Sequence, residues 1–160
     1  MNEFYKKNII SVRDLDKQKL ELIFDATDKI IDMSQDKRRE IARGKTLGYL
    51  FFEPSTRTRL SFESAIALLG GTSLGIADAT SSSIHKGETL GDTVKVISSY
   101  CDVLVLRHSL DGSSRFAAEI SNKPVINAGS GTEEHPTQTI QDLYTIKKEK
   151  KKIDGLKIGI

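Results

Sequence analysis

From Lys45 onward, short apolar runs alternate with stretches of helical periodicity, and that alternation restricts the chain more than any other feature. The pattern predicts strands at 46–52, 73–77, 102–106 and 124–127. Between and after them it predicts helices at 57–69, 88–100, 112–121 and 136–149. Strands separated by helices of about 10 to 15 residues imply a parallel sheet covered on both faces. Val103-Leu104-Val105-Leu106 agrees, because a strand buried on both sides reads as a continuous apolar run. Ahead of the alternation, one long helix is predicted over Leu15 to Ala42. Leu20, Ile23, Phe24, Ile30 and Ile31 line one side of it, and Gly44 marks its end. The expected fold class is α/β, a four-stranded parallel sheet with helices on both faces.

Composition removes several functions. A chain of 160 residues with 38% hydrophobic and 29% charged residues has enough apolar material for one core. A net charge of +2 is too small to argue for nucleic acid. The one basic run, Lys147 to Lys152, falls at the end of a predicted helix, where it suits the dipole and a solvated surface. Cys101 is the single cysteine, so no internal disulfide forms, and a small buried apolar role is expected for it. His85, His108 and His135 stand on separate elements without metal-ligand spacing. Gly129-Ser130-Gly131 lacks the third glycine of a dinucleotide fingerprint, so neither metal nor cofactor is expected. No apolar run approaches the roughly 18 residues of a membrane span, and residues 1–10 lack a signal peptide's apolar core; a cytoplasmic protein is expected.

The densest chemistry lies in residues 51–64, FFEPSTRTRLSFES. An apolar strand ends at Glu53-Pro54, and a helix starts at once, with Phe62, Ala65, Ile66 and Leu69 on one face. Between them sit Ser55, Thr56, Arg57 and Thr58. The first turn of a helix offers unpaired N–H groups and a positive dipole end. Two or three hydroxyls and a guanidinium placed there make a socket for phosphate or a similar dianion.

This segment resembles the carbamoyl phosphate signature of the aspartate and ornithine carbamoyltransferases. Three further stretches match that family in the same order: HKGETLGDT at 85–93, DVLVLRH at 102–108 and NAGSGTEEHPTQ at 127–138. Glu53 and His135-Pro136-Thr137-Gln138 are similar to the aspartate branch, whereas the ornithine branch more often has Lys and His-Pro-Cys-Gln. The resemblance implies transfer of a carbamoyl group from carbamoyl phosphate to the amine of L-aspartate, in pyrimidine biosynthesis. Ornithine carbamoyltransferase, or a module that binds carbamoyl phosphate without turnover, are the alternatives.

The same resemblance guides the choice of site residues at the carboxyl ends of the strands, where open parallel sheets collect ligands. Ser55, Thr56, Arg57 and Thr58 would hold the phosphate, with Arg57 steadying the leaving oxygen. Thr58, Arg107 and His135 would surround the carbonyl oxygen, and the Gln138 amide oxygen would accept from the substrate NH2. Arg107 ends an apolar strand, where a guanidinium needs an anion; His108 would face the opposite side and is read as structural. His135 precedes Pro136, which biases it to extended geometry and suits Pro136 to a helix start.

By resemblance, Ser82 and Lys86 of the polar 80–86 loop would act in trans on a neighbouring subunit, within a homotrimer and with regulatory chains left open. His85 replaces a second lysine common in the family and is read as peripheral. The family pairs the residue matching Glu53 with arginines of a second domain, which leaves Glu53 without a partner in this chain. Residues 1–152 are expected to form the carbamoyl phosphate-binding domain, and 153–160 the first strand of an amino-acid-binding domain.

Overall fold

Four apolar runs pair into one all-parallel sheet in a computed structural model that describes residues 3–77 and 87–159. The strands are β1 (Thr46–Phe51), β2 (Thr72–Ile76), β3 (Val103–His108) and β4 (Val125–Ser130), in the order β2-β1-β3-β4. β1 and β3 occupy the centre, and Leu50, Leu104, Val105 and Leu106 are fully buried. This is the burial that a continuous apolar run requires.

Residue alternation along each strand divides the core into two layers. Leu50, Leu104, Leu106 and Val125 pack with Val94 and Ala117 from helices α4 (Leu90–Ser98) and α5 (Ser113–Ile120). Leu47, Phe51, Val105 and Ala128 form the opposite layer, against Phe62 and Ile66 of α3 (Thr56–Leu68). Cys101 is buried in the first layer, where burial pushes its thiol pKa up. A Cβ added at Gly48 would stand 2.7 Å from the Cys101 Sγ, so the strand needs glycine there.

Helix α6 (Pro136–Lys150) packs on β4 and on α1 (Lys17–Asp32). Phe24 of α1 is buried against Tyr144 of α6, with ring centroids 5.6 Å apart. Asp28 accepts from the Tyr144 hydroxyl and, at 2.9 Å, from Lys148. Lys147 pairs with Glu21 and lies over the Phe24 ring, so part of the basic run is held by α1 instead of lying free in solvent.

The predicted helix over Leu15 to Ala42 is two helices, α1 and α2 (Gln35–Ile41). Met33 and Ser34 take extended backbone, with ψ of 146° and 155°. Asp16 caps α1 through the Lys19 N–H, and a short 3-10 turn at Val12–Asp14 precedes it. No Pro or Gly marks the break, and α2 buries no residue, its one apolar side chain, Ile41, being exposed, so hydrophobic periodicity does not locate it. β3 and β4 also run past their predicted ends, to His108 and Ser130. After Asp154–Gly155, Leu156 donates to the Ile153 carbonyl, and residues 156–159 join no ladder. Among the described residues, no helix is long and apolar enough to cross a membrane.

Candidate active site

β1 stops at Phe51, the chain turns at Glu53-Pro54, and α3 starts at Thr56. Ser55 occupies the N-cap position, yet its hydroxyl makes no capping bond. The N–H groups of the first turn therefore remain available to a ligand, along with the hydroxyls of Ser55, Thr56 and Thr58. Arg57 is exposed on this turn and has no carboxylate partner among the described residues. Arg59, one helical step further, is instead paired with Glu63 at 2.8 Å.

Arg107 lies inside β3 rather than after it, in register with Phe51. Strand alternation puts it on the α3 side, and puts His108 on the other, edge-on to Phe52 at 5.2 Å. His108 Nδ1 accepts from the Leu110 N–H, which fits a structural role. The counter-ion for Arg107 is Glu53, whose Oε1 accepts from Nη2 at 2.7 Å. The expectation that Glu53 has no partner in this chain is thus corrected. Strand register and the turn after β1 bring the two together across 54 positions of sequence, which no local pattern reveals. Arg107 Nε is buried without a partner among the described residues.

His135 caps α6, its Nδ1 accepting from the Gln138 N–H at 3.3 Å, with the Thr137 hydroxyl also at 3.3 Å. An Nδ1 that accepts leaves the proton of a neutral ring on Nε2, and that atom is buried with no partner among the described residues. Burial, then the Arg107 charge, lowers the His135 pKa and keeps the ring neutral. Gly129 beside them has φ 117°, a backbone conformation that favours glycine; a Cβ there would make only ordinary contact with His135 and Arg107, so conformation and not space calls for glycine. Gln138 donates its amide Nε2 to Asp142 at 3.0 Å, which leaves the amide oxygen to accept.

These groups meet at one cavity of about 820 Å³ at the carboxyl edge of the sheet. Ser55, Thr56, Arg57, Thr58, Arg107, His135 and Gln138 all line it. Thr137, Ser61 and Phe62 line it too, residues that sequence reasoning passed over; only the helical spacing of Ser61 and Thr58 hinted at one of them. Ser82, His85 and Lys86 lie outside the described residues. Helix-start N–H groups and hydroxyls can hold a dianion, while a guanidinium and a neutral imidazole N–H can stabilise an oxyanion.

Fold and site together define an open parallel α/β domain whose cavity sets helix-start N–H groups and hydroxyls beside a guanidinium and an imidazole. Comparison with known proteins narrows that class. Residues 7–148 match the family described as aspartate/ornithine carbamoyltransferase, carbamoyl-P binding domain, and the chain belongs to that family. The aspartate carbamoyltransferase catalytic subunit of Nitrosopumilus maritimus is 74% identical over the whole chain, which covers 52% of that protein. The catalytic subunit of Archaeoglobus fulgidus is 51% identical over 96% of the chain and is likewise covered to 52%. Among solved structures, the catalytic subunit of M. jannaschii aspartate transcarbamoylase superposes with a TM-score of 0.86 at 47% identity, over 94% of this chain and 49% of that one. The Trypanosoma cruzi aspartate transcarbamoylase in complex with carbamoyl phosphate and aspartate gives 0.83 at 36% identity, over 94% and 50%. The chain spans about half the length of the curated relatives it matches.

Proposed function

We propose that the chain is the carbamoyl phosphate-binding half of an aspartate carbamoyltransferase. The convergence of Ser55 to Thr58, Arg107, His135 and Gln138 on one cavity is the observation that carries this reading. The phosphate docks on the α3 start and Arg57, and the carbonyl oxygen faces Arg107, Thr58 and the Nε2–H of His135. The NH2 group donates to Gln138. The aspartate amine adds to the carbonyl carbon, negative charge grows on its oxygen, and the C–O bond to phosphate then breaks. Phosphate leaves with the bonding electrons and takes the proton that the amine gives up. Donors already in place for both charges lower the barrier without a covalent intermediate. Losing one such donor costs about two to three orders of magnitude in rate.

Glu53, Thr137 and the names of the relatives favour aspartate over ornithine. Residues 1–152 are the binding domain in this proposal, and 153–160 open a second domain that supplies the amino-acid site. Assembly as a homotrimer in the cytoplasm belongs to the same reading, with Ser82 and Lys86 reaching a neighbour's cavity and the product entering pyrimidine biosynthesis. Among the described residues β2 is an edge strand and α3 has no buried residue, which leaves surface for such assembly. Calorimetry with carbamoyl phosphate and with inorganic phosphate tests the site. Tighter binding of carbamoyl phosphate, abolished in His135→Ala with phosphate binding retained, is expected. Equal affinity for both ligands would leave only an anion socket.

A further inference from the structure

The turn that delivers His135 to the cavity is fastened to the amino-terminal segment of the chain. Glu134 directs one carboxylate oxygen, Oε2, at two donors: the Ser11 hydroxyl at 2.9 Å and the Val12 N–H at 2.7 Å. Charge-assisted bonds of this length are the strong kind. Ser11 is itself held, because its hydroxyl accepts from the Arg13 N–H and its own N–H donates to Asp14. It is 3% exposed, so it has no ready solvent-facing alternative.

A second fastening lies beside the first. Asn127, 1% exposed, donates from Nδ2 to the Ile10 carbonyl and to the Ser130 hydroxyl, both at 2.9 Å. Its oxygen accepts from the Gly129 N–H at 2.9 Å. The Ser130 N–H in turn donates to the Glu134 carbonyl at 3.3 Å, closing the turn on itself. Both ends of the 130–134 turn are thereby tied to residues 10–12.

We propose that Glu134 is a positioning residue for His135, clamping the Ile10–Val12 segment to the 130–134 turn and so fixing where the Nε2–H donor stands. The inference rests on the reading of His135 as the donor to the carbonyl oxygen. The His135 ring is held loosely: the Gln138 N–H and the Thr137 hydroxyl both reach Nδ1 at 3.3 Å, and Nε2 has no partner among the described residues. The Glu134 carboxylate bonds Ser11 and Val12 and not the ring, so it acts on His135 through the backbone that joins them. Displacing a reacting group by about 1 Å can cost as much as a hundredfold in rate, which is why such a clamp matters.

The experiment uses the 160-residue chain and three variants: Glu134→Ala, Glu134→Gln and Ser11→Ala. Nitrogen-15 imidazole spectra read the His135 tautomer without ligand, calorimetry reads carbamoyl phosphate affinity, and thermal melts read the fold. In Glu134→Ala the single Nε2–H tautomer is expected to give way to a mixture, and affinity to fall about tenfold, the scale on which groups that orient functional imidazoles act. Glu134→Gln keeps an oxygen that can accept from both donors, so it should restore the tautomer and most of the affinity. A lower melting temperature with unchanged tautomer and affinity would make Glu134 a plain strut and overturn the proposal. So would a Glu134→Gln variant as damaged as Glu134→Ala. If Glu134→Ala does not fold, Ser11→Ala, which removes one donor and keeps Val12, must show the tautomer mixture, and its absence overturns the idea equally. A parent chain that binds no carbamoyl phosphate while the variants still shift the tautomer would sink the functional reading and uphold the clamp.

Discussion

Two arginines at the cavity differ in what neutralises them, and the difference is measurable. Arg57 has no carboxylate partner among the described residues, so its charge is free for a ligand. Arg57→Ala should weaken phosphate binding by roughly 10- to 100-fold, the equivalent of one charge-assisted hydrogen bond, with the circular dichroism spectrum unchanged. Calorimetry on parent and variant reads this, and near-normal affinity would remove Arg57 from the socket. Arg107 is already paired with Glu53 at 2.7 Å, so an incoming anion competes with that carboxylate. Glu53→Gln should tighten phosphate binding by up to about fivefold at low salt, the range of a partly exposed pair. Weaker binding in that variant would mean that Glu53 organises Arg107 more than it competes. His135 and His108 are both held below the usual histidine pKa, chiefly by burial. The unfolded chain then takes up protons that the folded one refuses. Stability is therefore full above the unfolded value near 6.5 and is lost as pH falls through it, levelling off below the folded values. Melting temperature should decline from pH 7.5 to 5.5, and less steeply in His135→Gln. Asp28, Asp102 and Asp154, whose pKa values are lowered, act in a separate window below about pH 4.

Among the elements, β1 and α4 meet where glycine is required. The missing side chain at Gly48 makes room for Cys101, and an added methyl would stand 2.7 Å from the sulfur. Gly48→Ala should destabilise the chain by about 1–3 kcal/mol, the usual cost of overpacking a core. Adding Cys101→Ala should recover part of that loss, a coupling expected of residues in contact. Urea unfolding of the four chains in the cycle measures it, and strict additivity would show that the clash is relieved elsewhere. Strand and helix types were readable because each buried run repeats with its own period. The break at Met33–Ser34 was not, because no Pro or Gly marks it and the flanking residues are good helix formers. Arg107 was expected at a strand end and stands within β3, since the ladder continues as long as β1 and β4 offer partners.

At the scale of the whole molecule, the chain lines one cavity and spans about half the length of its relatives. The 160-residue chain should bind carbamoyl phosphate weakly and form no measurable carbamoyl aspartate. Positioning of two reactants can supply roughly 7–11 kcal/mol of barrier reduction, and much of that depends on a second wall that aligns the amine and excludes water. A colorimetric assay for carbamoyl aspartate tests this, and turnover at the rate of a full-length relative would show that the aspartate site lies within these residues. By itself the sequence determined the parallel α/β architecture, because burial on two faces forces the apolar runs, and it placed Ser55 to Thr58 at a helix start, because a strand end followed by Ser-Thr-Arg-Thr is a local arrangement. Tertiary structure alone decided the Glu53–Arg107 pair, the unpartnered Nε2 of His135 and the hold of Glu134 on Ser11 and Val12. Each of these depends on strand register or on contacts between distant segments, and such contacts leave no period in a single chain.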